Sequence, residues 1–406
     1  MAEPAPVPDH VPPDVVRPFD YHHDPRFVAD PFGAFEGVRG QRAFFSPAYG
    51  GYWVLTEAAD IRAAFQHPEW FSSRITGIPP TPRPRQLLPL ELDPPDHGAY
   101  RHPLAPVFSP KAVTLLESRI RATSVELIDR FATAGRCEFL ADFAVPFPTT
   151  IFVDLLGLPA AEAPRLAAWN HALLHAHDEP QRREEAKTAI AAYLDDLVTR
   201  RMGEAGRRAG RDDDLFAVLL AAEVEGRALT KDEIFDYAFL LFVAGLDTVT
   251  AALGFSFAYL ARNADHRKQL VADPALVPSA VEELLRSHSI VNPARTVTED
   301  VEFAGVCMRA GDRVLVSTVL ANRDPAEFDD PAAVDFHRSV NRHLAFGAGP
   351  HRCLGSHLAR CELRVALEEF HRRIPDYRIE DGAVIRAHGG GAMGVDHLPL
   401  VWEVSP

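Results

Sequence analysis

The chain has 406 residues, 47% of them hydrophobic and 24% charged, and a formal charge of −15. That composition supplies an ample core for a globular protein, and the acidic excess argues against nucleic-acid binding, which needs a clustered basic surface. Four cysteines, Cys137, Cys307, Cys353 and Cys361, do not make a disulfide framework in so long a chain and suit a reducing compartment.

The proline-rich start, Met1 to Pro6, has neither a basic n-region nor an apolar h-region, so it does not read as a signal peptide. The longest apolar run, Tyr237 to Leu246, is stopped by Asp247 and falls short of the roughly 20 residues that cross a bilayer. The expectation is a cytoplasmic protein that spans no membrane.

Residues 1–25 read as an extended N-terminal arm and 26–406 as a single domain. Asp30-Pro31 opens a short helix, Ala43–Phe45 and Tyr52–Leu55 read as a strand pair, and Thr56 can cap the helix that follows. Ser72 to Pro95 contains seven prolines, too many for a regular helix or interior strand, and reads as a lid over a pocket. Asp96 can cap a helix carrying His97 and Arg101 one turn apart.

From Pro110 the period is helical: Lys111–Ala134, Thr149–Leu156, Ala160–His177, Gln181–Met202 and a short helix within 212–225, before a turn at Gly226-Arg227. Thr230 to about Arg262 is the longest helical run, roughly 50 Å at 1.5 Å per residue. Its centre, Ala244-Gly245-Leu246-Asp247-Thr248, sets two small residues before an acid and an alcohol. Helix Pro278–Ser289 carries Glu283-Leu284-Leu285-Arg286; 294–297 and 313–320 read as strands.

The stretch around which all of this is organised is Phe346-Gly347-Ala348-Gly349-Pro350-His351-Arg352-Cys353-Leu354-Gly355, which runs into an amphipathic helix ending near Ile374-Pro375. Two glycines allow backbone angles closed to other residues, and Cys353 falls where a helix begins, a position that favours an ionised sulfur. Gly355 leaves room for a flat, bulky group against the backbone. A lone cysteine in a glycine-rich loop is otherwise as often an inert buried thiol.

The spacing Phe-x-x-Gly-x-x-x-Cys-x-Gly resembles the haem-ligand loop of the cytochrome P-450 monooxygenases, and the further motifs extend that resemblance from about His97 to Leu398. It implies a mainly α fold with small β-sheets, a triangular prism with the cofactor between the long central helix and the helix after the cysteine loop. It implies haem b with Cys353 as the metal ligand, and Phe346, Gly347, Gly355 and Ala244 around it. His97, Arg101, Arg295 and His351 match positions that bind the two propionates, and bidentate guanidinium donors suit carboxylates. Asp247 and Thr248 match the family's acid-alcohol pair, which delivers protons. Glu283, Arg286 and Arg338 match its structural triad. Arg352, Arg360 and Arg364 would form a basic face where an acidic ferredoxin, supplied by its reductase, docks.

The implied reaction is insertion of one oxygen atom of O2 into a small, largely apolar substrate, terpenoid or aromatic and carboxylate-bearing. The motifs Gly245–Val249, Glu282–Arg286, Pro146-Phe147-Pro148 with Gly157-Leu158-Pro159, and Leu398–Trp402 are similar to the camphor-hydroxylating branch. The lid departs from that branch: between Phe71 and Tyr100 there is no aromatic residue, which speaks against camphor itself. It brings Arg83, Arg85 and Gln86 instead, and Arg85 could pair with a substrate carboxylate. The other walls implied are Leu240, Val243, Ala244, Val291, Gly391 and Ala392. A haem-thiolate sensor without turnover would not need the Asp247-Thr248 pair, and peroxide-driven relatives replace that pair by arginine and proline; both remain alternatives to be tested.

Overall fold

The computed structural model describes residues 4–80, 85–176, 179–205 and 214–404. Among them are fourteen α-helices: α1 Arg26–Ala29, α2 Pro31–Glu36, α3 Ala58–Gln66, α4 Asp96–Arg101, α5 Pro110–Asp129, α6 Pro146–Leu155 and α7 Ala163–His175. Then come α8 Pro180–Ala205, α9 Leu215–Ala221, α10 Lys231–Arg262, α11 Ala264–Ala272, α12 Val277–Ser287, α13 Thr318–Asn322 and α14 Ser356–Arg373. Strands are short. The largest sheet has five, in the order 43–46, 52–55, 313–315, 294–297, 71–72. The expected strand pair forms its edge, antiparallel with Phe44 opposite Val54.

The central helix starts where the sequence says it should. Thr230 caps α10 by accepting the Glu233 amide, and the Glu233 carboxylate accepts the Thr230 amide in return, a reciprocal capping box. By length and composition α10 could cross a membrane, since one 18-residue window has a mean hydropathy of 1.9 and Asp247 alone does not lower it enough. It is a core helix here: Leu253 and Phe257 are wholly buried. Phe257 packs on Phe139 at 4.2 Å and on Phe370 of α14 at 4.8 Å, which ties the two helices that flank the cysteine loop into one aromatic cluster.

Four local expectations are corrected. Thr56 does not cap α3, because its hydroxyl donates to the Gln41 carbonyl and the Ala58 amide is taken by Asp324 at 2.6 Å. Asp96 is the first residue of α4 rather than its cap, which is Pro95. The strand expected over 313–320 stops at Leu315, since the Ser317 hydroxyl accepts the Leu320 amide and starts α13. The N-terminal arm is extended but not separate: Phe19 and Tyr21 are buried in the same hydrophobic cluster as Phe257 and Phe370. The expected helix ends at His177 and Asp212, and Arg83, lie outside the described residues; α7 ends at His175, and Asp214 caps α9.

The lid is fastened at both ends. Asp93 accepts the Ser73 amide at 2.7 Å and the Ser72 hydroxyl at 2.5 Å, closing the base of the loop. Arg313 donates to the carbonyls of Ile75 and Gly77 at 2.9 and 2.7 Å, and Tyr21 donates to Ile78. Those bonds hold the first part of the segment to the sheet.

Candidate active site

The cysteine loop is a tight structure built on two left-handed glycines. Gly347 and Gly349 have φ of 66° and 67°, and the Cys353 amide donates to the Phe346 carbonyl at 2.8 Å. A Cβ at residue 349 would lie 2.3 Å from the Phe65 carbonyl oxygen, whereas one at Gly355, the cap of α14, would meet nothing within 4 Å. Hence one glycine serves packing and the other borders open space. Cys353 is exposed at its surface although protein crowds it on most sides. The thiolate is less favoured than its helix position suggested. Burial pushes the thiol up, outweighing the Gly355 amide and the charges of Arg101, Arg352 and Arg360, all of which push it down.

Around this loop converge four donors lacking an acceptor of opposite charge. The rings of His97 and His351 lie 4.0 Å apart, and Nε2 of each is buried without a hydrogen-bond partner. Burial holds His97 down to about 4 and His351 to about 3, with the neighbouring cations adding to it. Arg295 is 4% exposed, yet among the described residues its side chain donates one hydrogen bond, to the Ala294 carbonyl at 2.8 Å, and its guanidinium lies over the Phe65 ring at 5.3 Å. Burial lowers it to about 10. Arg101 donates to the Arg352 carbonyl, and burial lowers it too. Buried guanidinium and imidazole groups without partners are costly, so this cluster is suited to an anion with several carboxylate oxygens.

On α10, Ala244 is exposed although it lies midway along a core helix, so it too faces a void. A Cβ at Gly245 would lie 2.6 Å from the Phe152 ring, so its smallness lets α6 pack against α10. The helix is continuous through this point, and the Thr248 hydroxyl donates to the Ala244 carbonyl at 3.2 Å. Asp247 is half-buried beside it. Val291 and Ala392 form an isolated antiparallel bridge, and the Asn292 amide donates to the Gly391 carbonyl at 2.8 Å, which brings three expected wall residues together. Leu240 and Val243 are half-buried on α10.

Arg85 is not free to read a substrate carboxylate. It is bound to Asp236 at 2.7 Å and Asp232 at 3.0 Å, and stacks over Phe235 at 5.1 Å. This clasp closes the second part of the lid onto the first turns of α10. A cavity of about 920 Å³ lies beneath it, lined by Arg85, Leu88, Leu92, Tyr100 and Asp236 among others, and by none of the residues of the cysteine loop.

The structural triad is assembled in full. Arg286 and Glu283 are wholly buried and joined by two hydrogen bonds of 2.8 Å; Arg338 reaches the same carboxylate at 3.2 Å. Asn341 and the Asp335 amide occupy the remaining lone pairs. The basic face of α14 is less basic than expected, because Arg360 is bound by Glu282 and Arg364 by Glu117 and Glu368. Arg352 is exposed and, among the described residues, forms no ion pair. The grip of Glu282 on Arg360 was missed in the sequence. Its signal was the first glutamate of Glu282-Glu283, one residue before the triad's own.

A helix-rich fold, a loop presenting one exposed sulfur and a set of cationic and imidazole groups without a carboxylate partner beside it fit a haem-thiolate oxidoreductase. A sequence profile of the family described as Cytochrome P450 matches residues 166–373. The chain is 40% identical over 98% of its length to a probable cytochrome P450 127A1 of Sinorhizobium fredii, covering 97% of that protein. It is 36% identical to the mycinamicin IV hydroxylase/epoxidase of Micromonospora griseorubida over 88% of this chain and 91% of that one. The solved structure of CYP101C1 superposes with a TM-score of 0.89 at 32% identity, covering 98% of this chain and 100% of its own. The chain belongs to the cytochrome P450 family and is a monooxygenase that uses haem, dioxygen and redox partners.

Proposed function

We propose that the protein is a ferredoxin-dependent hydroxylase of a bulky, largely apolar substrate, with haem b held by Cys353 and its two propionates by Arg101, Arg295, His97 and His351. The observation that carries this reading is the cluster beside the cysteine loop of two buried, unpartnered nitrogens, His97 Nε2 and His351 Nε2, with the Arg295 guanidinium, which forms no ion pair among the described residues. Haem bound there supplies the dioxygen activation that no side chain can perform. Gly347 and Gly349 shape the loop that offers the sulfur. Thr248 holds a hydroxyl at the small-residue face of α10, where it can hand a proton inward, and Asp247 is the acid that resupplies it.

Substrate selection rests on Leu240, Val243, Val291, Gly391 and Ala392, an apolar wall with backbone polar groups, as is usual for small-molecule sites. Relatives are named as a mycinamicin IV hydroxylase/epoxidase and a steroid C26-monooxygenase, which supports testing substrates of those kinds here. Arg352, exposed next to Cys353, is the cation best placed to meet an acidic ferredoxin. The protein is taken to work in the cytoplasm.

The test is NADPH and oxygen consumption with surrogate ferredoxin and reductase pairs, across steroids, macrolides, terpenoids and carboxylates. Substrate-dependent consumption with hydroxylated product supports the reading; turnover with hydrogen peroxide but none with any ferredoxin would establish the peroxygenase alternative.

A further inference from the structure

Arg360 stands between the cysteine loop and α12. Its Cζ lies 4.4 Å from the centroid of the Phe346 ring. From the other side Glu282 takes it in a bidentate grip, Nε to Oε1 at 2.6 Å and Nη2 to Oε2 at 2.8 Å. His343 completes the group. Its Nδ1 accepts the Ala345 amide at 3.2 Å, so the proton must sit on Nε2, which donates to Glu282 Oε2 at 3.0 Å. The carboxylate is thereby kept ionised in spite of burial, held down to about 2.

The chain of contacts ends at the sulfur. Phe346, stacked under Arg360, is the residue whose carbonyl accepts the Cys353 amide at 2.8 Å. We propose that Glu282 and Arg360 form a charge-balanced clamp that positions Phe346 against the cysteine loop and sets the reduction potential of the group bound to Cys353. This rests on the reading of Cys353 as the axial ligand. Arg360 is a positioning residue and does not dock the electron donor.

The physical argument is one of sign. Reduction adds a negative charge beside the loop, so an unbalanced cation there favours the reduced form and an unbalanced carboxylate opposes it. In the intact clamp the Glu282 carboxylate, paired in a bidentate grip, offsets the Arg360 charge. Removing either partner therefore shifts the potential in opposite directions.

Potentiometric titration of the purified holoenzyme tests this. Glu282→Gln is expected to raise the midpoint potential, Arg360→Gln to lower it, and the double variant to return it close to the wild-type value. Arg360→Lys keeps the charge but loses the planar fork and the stack. It is expected to hold the wild-type potential while losing the thiolate-type carbon monoxide band faster on warming. Single variants that shift the same way, or a double variant that does not return, overturn the clamp. The wild-type carbon monoxide spectrum separates the two levels: absence of a thiolate-type band would overturn the Cys353 reading first.

Discussion

Gly349 lies so close to Phe65 that the carbonyl oxygen of Phe65 occupies the space a Cβ would need, 2.3 Å away, while its own φ of 67° is one that L side chains seldom adopt. Gly349→Ala therefore meets two obstacles at once. Strain of this kind costs roughly 1–3 kcal/mol before any clash is counted. We expect a lower Tm and less bound haem per chain, whereas Gly355→Ala, which meets open space in the protein, should fold normally and show its effect in haem content alone.

Glu283 holds two guanidinium groups, Arg286 and Arg338, that have no other carboxylate in the described residues. Glu283→Ala leaves Arg286 wholly buried and unneutralised, at a cost of about 3–5 kcal/mol. Differential scanning calorimetry and haem content should fall together. Arg338→Ala, which leaves the Arg286 pair intact, should do less damage.

Thr248 donates to the Ala244 carbonyl through a hydroxyl on the exposed face of α10. Thr248→Ala removes the proton-handling group without opening the core. Oxygen and NADPH consumption should persist while product per oxygen falls by about tenfold or more, well within the range for a positioned proton-transfer group. Unchanged coupling would remove Thr248 from the proposed relay.

Arg85 clasps the lid rather than a ligand. Arg85→Ala should accelerate proteolytic cleavage within 72–95 several-fold, and added salt should mimic it in the wild type because the pair is partly exposed. Soret titrations should show the same preference between carboxylates and neutral compounds before and after the substitution. Selective loss of carboxylate binding would return Arg85 to the substrate site.

Three buried groups, two histidines and a glutamate, give stability a defined pH window. Burial lowers His288 to about 3 and His371 to about 4, so both are neutral in the fold; their contribution is complete above the ordinary 6.5 and is lost as pH falls toward those values. Glu362 on α14 is raised by burial to about 8 from an ordinary 4.5, so its contribution is complete below 4.5 and lost as pH rises to about 8. Glu362→Gln should therefore raise Tm at pH 8 and leave it nearly unchanged at pH 4.5. An equal gain at both pH values would mean that packing, not ionisation, is responsible.

What the sequence disclosed were features whose partners are near in the chain or whose spacing is rigid. The start of the long helix at Thr230, the strand pair at 43–55 and the Glu283–Arg286 pair are of this kind. Distant partners were hidden. Nothing local says that Asp236 will take Arg85 from 151 residues away, or that Glu282 will take Arg360 from 78. Val314 to Leu320 has the composition of one strand, but a single hydroxyl, that of Ser317, ends it and begins a helix. Nor does anything local say that the Phe152 ring will lie against Gly245, since only the tertiary fold brings it there.

That last contact divides the labour between adjacent positions on α10. Residue 245 is locked by a neighbouring aromatic ring, so exchange there disrupts the seam between two helices; residue 244 borders open space, so exchange there reshapes the chamber while the scaffold stands. A lineage adapting to new compounds has room to vary at one of these positions and almost none at the other. Libraries built to redirect this enzyme should accordingly randomise Ala244 and leave Gly245 alone.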